Sequence, residues 1–167
     1  KVLLVDLNTR NPRLGSMFLH SVDYSRTLNA LYKGETDPLE AVISLTGYLD
    51  LLPSVLERNA IPMDGQVFDF IRGLEKDYDY VIIDTPPLGS VIDSAVIADE
   101  CDGSIIVMES GVISYRFAQD VKGQLEKCNC PILGVILNKV DMSKQGYYGK
   151  YYGKYYGKYG DKKTEKK

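Results

Sequence analysis

The sequence predicts an α/β fold, a mostly parallel sheet with helices on both faces. Three observations carry this. Short aliphatic or β-branched runs recur along the chain, each bounded by Gly, Pro or Asp. Segments with apolar residues at helical spacing lie between them. The strand runs are continuous rather than alternating, which is the pattern of strands buried on both faces.

Taken in order, Val2–Val5 opens the chain as an apolar strand. Domains rarely begin inside a buried strand, and Lys1 is not a methionine, so an upstream part is expected to be missing. Pro38–Leu45 is expected to be helical. Leu49–Leu52 reads as a strand stopped by Pro53. Gln66–Lys76 carries Val67, Phe68, Ile71 and Leu74 at helical spacing, and Tyr80–Ile83 is the next strand. Ser90–Ala98 is a third helix, followed by a strand at Ser104–Met108. Tyr115–Lys127 repeats the helical pattern through Phe117, Val121 and Leu125, and Ile132–Leu137 is the last strand. Periodicity stops at Asp141. The expected division is a domain over 1–142 and a flexible tail over 143–167.

Composition suits one globular domain plus that tail: 167 residues, 44% hydrophobic, net charge −3. The charge is unevenly spread. From Ser143 onward eight lysines oppose two acids, a surplus of +6 that leaves −9 on the body. A basic tail on an acidic body can return to its own surface or to a neighbour's, more strongly at low salt. Cys101, Cys128 and Cys130 have no framework spacing, and His20 is the sole histidine. A structural zinc site would lack ligands, so reduced cysteines in a cytosolic protein are expected. No apolar run approaches the roughly 20 residues of a membrane span, so membrane association would come through a partner.

The tail is unusual. Tyr147 to Gly160 reads YYGKYYGKYYGKYG and holds seven of the thirteen tyrosines: Tyr147, Tyr148, Tyr151, Tyr152, Tyr155, Tyr156 and Tyr159. Glycine at every fourth position opposes helix, and the lysines keep the segment hydrated. What remains is a ribbon of exposed phenols, each a candidate phosphate acceptor. Alternating rings and cations could also stack on nucleic-acid bases, but the acidic body and the lack of a single-strand-binding motif argue against that partner. A merely solubilising tail would not need so many tyrosines.

Asp6 directly follows VLLV and Asp84 directly follows YVII, so each acid sits where its strand runs out. Ligands of open α/β sheets bind at the carboxyl ends of the strands. Parallel neighbouring strands would bring both carboxylates to one crevice, an arrangement suited to magnesium and its waters beside a triphosphate. The bland alternative is that these acids cap the turns that follow them. Arg13, Arg26 and Arg58 could line a phosphate-friendly edge, although scattered arginines are more often solvated surface. His20 reads as structural or exposed rather than catalytic.

The flanks of these aspartates carry a resemblance. LLVDLNTRNP (Leu3 to Pro12) resembles the Walker A-prime motif of bacterial tyrosine kinases, and YVIIDTPP (Tyr80 to Pro87) resembles their Walker B. GVILNKVD (Gly134 to Asp141) resembles the later strand whose Asn lies near the adenine. With the tyrosine cluster added, the chain resembles the cytoplasmic kinase subunit of Gram-positive capsular and exopolysaccharide systems. YVIIDTPP and LNKVD alone would also fit partitioning and division-site ATPases. The resemblance implies a deviant Walker-type P-loop NTPase fold, ATP and Mg2+ as cofactors, and transfer of phosphate to tyrosines on a neighbouring subunit's tail. It implies Asp6 as base or magnesium aid and Asp84 as the residue reaching magnesium through water. Asn138 falls on the adenine side. Arg10 falls near the nucleotide with its role open between phosphate-side electrostatics and oligomer contacts. Implied partners are a transmembrane activator or co-polymerase subunit that recruits the protein to the inner face of the membrane, further copies in a ring, and a cognate tyrosine phosphatase.

Two departures stand out. Asn8 replaces the second A-prime aspartate, keeping an oxygen ligand but losing a charge, so weaker metal binding or lower turnover is expected. No GxxxxGK[ST] occurs in the 167 residues. In the family that loop, with its strand and helix, precedes A-prime, and so does the helix that mediates ring assembly. These residues alone are therefore expected to be inactive. A non-catalytic scaffold that only presents tyrosines, or a partitioning-type ATPase, is the alternative reading.

Overall fold

The computed structural model describes residues 1–88 and 92–140. The expected tail, with all seven clustered tyrosines, lies outside the described residues.

Strand β1 (Val2–Asp6) is the second strand from one edge of a four-stranded sheet. It pairs in parallel with β3 (Leu49–Leu52) on one side and β4 (Tyr80–Asp84) on the other. The register sets Val2 beside both Leu49 and Tyr80, and Asp6 beside Asp84. A second, two-stranded parallel sheet joins β5 (Ser104–Glu109) to β6 (Ile132–Asn138). All five expected strands are therefore present, within a residue or so of the expected ends.

The segment 38–45 departs from expectation. Helix stops after a single turn at Ala41, and Ile43–Thr46 forms strand β2, antiparallel to β3. Two causes act together. Arg26 donates from Nε to the Glu40 carbonyl at 3.2 Å and from Nη2 to the Val42 carbonyl at 2.7 Å, occupying acceptors that a continuing helix would use. The adjacent β-branched Val42 and Ile43 then favour an extended backbone that can pair with β3.

Three short elements over 14–32 carried no clear sequence periodicity: α1 (Leu14–Phe18), a 3₁₀ turn (Tyr24–Arg26) and α2 (Leu28–Tyr32). They are followed by the one-turn α3 (Pro38–Ala41). The long expected helices are present as α4 (Gly65–Glu75), capped by the Asp64 carboxylate, and α6 (Tyr115–Glu126), capped by the Ser114 hydroxyl. The helix expected from Ser90 is described over Asp93–Asp99, here α5.

The main core lies on the face of the four-stranded sheet that carries Leu3, Val5 and Leu52. Helix α4 covers it with Val67, Phe68, Ile71 and Leu74, each burial contributing about 1.5–3 kcal/mol. Leu28 and Leu31 of α2 and Ile97 of α5 complete the layer. A smaller cluster sets Val121 and Leu125 of α6 against Ala98, Cys130 and Ile106. Cys101 packs against both clusters. The three cysteines are free, and burial pushes the Cys101 thiol up to about 11.

Four strand edges stand open among the described residues, those of β2, β4, β5 and β6. β4 ends its sheet with β1 as its one neighbour, and β5 pairs with β6 alone. Nearby side chains remain wet: Ile82 is 54% exposed, Ile105 58% and Val107 61%.

Candidate active site

Sequence places Asp6 and Asp84 as the last residues of adjacent parallel strands, and the register makes them direct neighbours, with backbones about 4.8 Å apart. The Leu7 amide donates to the Asp84 carbonyl at 2.9 Å, extending the ladder one step beyond the strands. Ser54, buried two residues past the end of β3, donates its hydroxyl to the Asp6 carbonyl at 2.9 Å. Three strand ends are thus pinned at one edge.

The two carboxylates have different surroundings. Asp6 is fully buried. Its Oδ1 accepts from the Asn8 amide at 3.2 Å, and its Oδ2 accepts from the Arg13 and Leu14 amides at 3.0 Å each. Those bonds wrap residues 8–14 around the carboxylate, the Asx-turn behaviour expected of a capping aspartate. Metal-side and capping readings of this residue are therefore compatible. Asp84 is half-buried and accepts no side-chain hydrogen bond among the described residues. Burial is the largest cause raising each pKa. For Asp6 the three amide bonds oppose that rise, and the neighbouring Asp84 charge adds to it.

Two adjacent, desolvated carboxylates repel when both are ionised, and a cation between them removes that cost. The donor set fits magnesium, which takes one or two carboxylates and keeps several waters. Asp84 has lone pairs to offer, whereas three of those on Asp6 are already engaged. No group of three or more His, Cys, Asp or Glu side chains among the described residues could hold a metal by itself.

Asn8 and Arg10 lie on the loop that Asp6 organises. The Arg10 Nε donates to Asp93 Oδ2 at 3.0 Å, reaching the first turn of α5. Asn138 closes β6, opposite Glu109 in register, and is exposed. Its Oδ1 accepts from the Lys139 amide at 2.8 Å, and Lys139 adopts a positive φ of 54°. No hydrogen bond or ion pair among the described residues joins Asn138 to the two aspartates. Arg26 is occupied with the carbonyls of 40 and 42, so it lines no phosphate edge, and His20 is exposed. Sequence reasoning missed Ser54 and Asp93, because a lone Ser after a strand and an Asp opening a helix carry no motif.

Another buried carboxylate belongs elsewhere. Asp50, inside β3, pairs with Lys1 Nζ at 2.7 Å and accepts from the Tyr78 hydroxyl at 2.7 Å. These contacts hold its pKa below the usual range although burial opposes them as the largest single influence. Register places it beside Leu3, away from the strand ends that carry Asp6 and Asp84.

No family model matches the chain. The tyrosine-protein kinase CpsD of Streptococcus agalactiae is 32% identical over 163 residues, covering 90% of this chain and 69% of that protein. CpsD of Streptococcus pneumoniae is 35% identical over 155 residues, covering 89% and 68%. The succinoglycan biosynthesis transport protein ExoP of Rhizobium meliloti is 27% identical over 154 residues, covering 89% of this chain but 20% of ExoP. Among solved structures, the VpsO kinase domain superposes with a TM-score of 0.74 at 27% identity, covering 84% of this chain and 71% of that one. The cell-division ATPase MinD of Pyrococcus furiosus, at 23% identity, shares the fold with a TM-score of 0.68 over 86% of this chain and 61% of its own. The chain spans 65–69% of the length of four of the streptococcal kinases it matches. With identity sustained along nearly the whole chain and a kinase-domain fold beneath it, this protein belongs to the bacterial tyrosine-protein kinases.

Proposed function

We propose that the full-length protein is a magnesium-dependent protein-tyrosine kinase whose acceptors are the tyrosines at 147, 148, 151, 152, 155, 156 and 159 of a neighbouring copy. The observation that carries this is the pairing of Asp6 with Asp84 at the carboxyl ends of β1 and β4. Bound magnesium would neutralise phosphate charge during transfer, the main requirement of phosphoryl chemistry. Asp84 would hold the metal through its waters. Asp6 shapes the loop beside it and would help balance the cation's charge. A tyrosine hydroxyl, with an ordinary pKa near 10, gains from a carboxylate at hydrogen-bond distance, and Asp84 has the lone pairs to provide it. The Asn138 carboxamide, oriented by the Lys139 amide, contributes on the adenine side.

On this reading the phosphate loop is supplied by polypeptide outside these 167 residues. This chain covers 69% of the Streptococcus agalactiae kinase, and β4 and β5 each leave an edge that an added strand could join. On this reading, residues 1–142 are the larger part of a P-loop kinase domain and 143–167 are its substrate tail. A tail of more than twenty residues has the reach to enter a neighbouring subunit of a ring. The likeness to ExoP supports a place in polysaccharide synthesis or export, with a transmembrane co-polymerase as activator at the inner face of the membrane and a cognate phosphatase to reset the tail. No helix among the described residues is long and apolar enough to cross a membrane, which suits recruitment by a partner.

The test is full-length protein with ATP, magnesium and its membrane activator. Phosphate should accumulate on the tail tyrosines and vanish with Asp84→Ala. Unchanged labelling in that variant would remove the catalytic assignment. ATP hydrolysis with no phosphotyrosine would favour the partitioning-type reading, for which the MinD likeness offers fold support alone.

A further inference from the structure

Arg10 and Asp93 lie 83 residues apart and meet through one ion pair, Arg10 Nε to Asp93 Oδ2 at 3.0 Å. Each partner is anchored in the segment that leaves one of the paired strands. On one side, three backbone amides bound to the Asp6 carboxylate fix residues 8–14, and Arg10 sits within that wrap. On the other, the buried Ser94 hydroxyl donates to the Pro86 carbonyl at 2.5 Å, tying the start of α5 to the turn that follows Asp84. The ion pair closes a ring of contacts. It runs from Asp6 through its own loop to Arg10, across to Asp93, back through Ser94 and Pro86 to Asp84, and across the strand register to Asp6.

Among the described residues, Nε is the one guanidinium donor engaged. The Arg10 side chain is 53% exposed, and neither Nη group has a hydrogen-bond partner among the described residues. A half-exposed ion pair contributes little to folding. What it does contribute is orientation: a planar guanidinium held by one edge keeps its other edge in a fixed direction for a bidentate acceptor. Asp93 has no such outlet of its own, since a carboxylate near a polyphosphate would repel it.

We propose that Asp93 is a positioning residue: it holds Arg10 across the two loops so that the remaining guanidinium donors bind the terminal phosphates of the nucleotide. The inference rests on the kinase reading and adds a residue to it. Asp93 then acts on nucleotide affinity through Arg10, with no contact to the reacting atoms. The requirement for guanidinium is specific, because a lysine paired with Asp93 would have no second donor edge to present.

The experiment uses the full-length kinase and its variants Asp93→Asn, Asp93→Glu, Arg10→Lys, Arg10→Ala and the double variant Arg10→Ala/Asp93→Ala. Steady-state kinetics give KM for Mg·ATP and kcat, a fluorescent ADP titration gives affinity, and thermal melts give Tm. Asp93→Asn should raise KM for ATP about tenfold, the worth of one charge-assisted contact, with kcat and Tm close to wild type. Asp93→Glu should recover much of the loss and Arg10→Lys should not. The double variant should be no worse than Arg10→Ala alone. A fall in Tm with KM unchanged would reduce the pair to a structural clasp and overturn the proposal. So would losses that multiply in the double variant. Should the wild-type protein label no tyrosine, the kinase reading fails separately, and ADP affinity across the same variants still decides the role of Asp93.

Discussion

Asp84 is a half-buried carboxylate with an acidic neighbour and no hydrogen-bond donor among the described residues, a poor arrangement for stability and a useful one for holding a cation. Because burial raises its pKa, the folded state binds its proton more tightly than the unfolded chain does. Stability from this group is fully present below the ordinary carboxylate pKa of about 4 and declines as pH rises through the raised folded value. Asp84→Asn, neutral at every pH, should therefore raise the melting temperature at neutral pH without magnesium, and the gain should disappear toward pH 4. A drop in Tm at neutral pH would show that Asp84 is structurally required. Asn8 lies on the loop that Asp6 wraps, so restoring a charge there should favour the metal. Asn8→Asp should lower the magnesium concentration for half-maximal tail phosphorylation, read by phosphotyrosine signal across a magnesium titration. That loop also shows the limit of motif reading. The position of Asp6 was legible, but its three amide bonds were not, because they depend on how residues 8–14 fold back.

Among the elements, α4 shows how far periodicity alone can go. Val67, Phe68, Ile71 and Leu74 are the residues its pattern singled out, and all four are buried. Leu74 is 2% exposed beneath the sheet, so Leu74→Ala should cost about 2–5 kcal/mol in a urea melt, the range for a cavity in a packed core. Segment 38–45 shows the opposite case. Its apolar residues satisfy a helical spacing and a strand alternation about equally over eight positions. Arg26, a dozen residues upstream, settles the matter by taking the carbonyls of 40 and 42. The short elements over 14–32 were invisible for a related reason. Three to five residues are too few to show a period, and what holds them is specific. Thr27 caps α2 at Ala30, and Asn29 exchanges two hydrogen bonds with Val55.

For the whole molecule, the open edges of β4 and β5 leave backbone groups unpaired among the described residues, and the exposed Ile82, Ile105 and Val107 leave apolar surface uncovered. The 167-residue chain in isolation should therefore bind an apolar dye strongly, and the full-length protein should not. Equal binding by both would mean that nothing in the longer protein covers this region. The tail belongs to this scale as well. On the proposed reading each phosphate would add about −1.5 to −2 charges, so three or four would cancel its +6 and further ones would make it repel an acidic body.

Sequence by itself determined the fold class, the strand positions, the two strand-end aspartates and the tyrosine repeat. All of these are local: they are written in short apolar runs, in flanking motifs and in a four-residue repeat. Tertiary structure decided what the aspartates do differently. Register made them neighbours, the fold-back of 8–14 engaged the lone pairs of Asp6, and the absence of any such donor among the described residues left Asp84 available. It also decided that Arg10 meets Asp93, because a contact spanning 83 residues depends on where two loops emerge from adjacent strands. No property of either loop's own sequence specifies it.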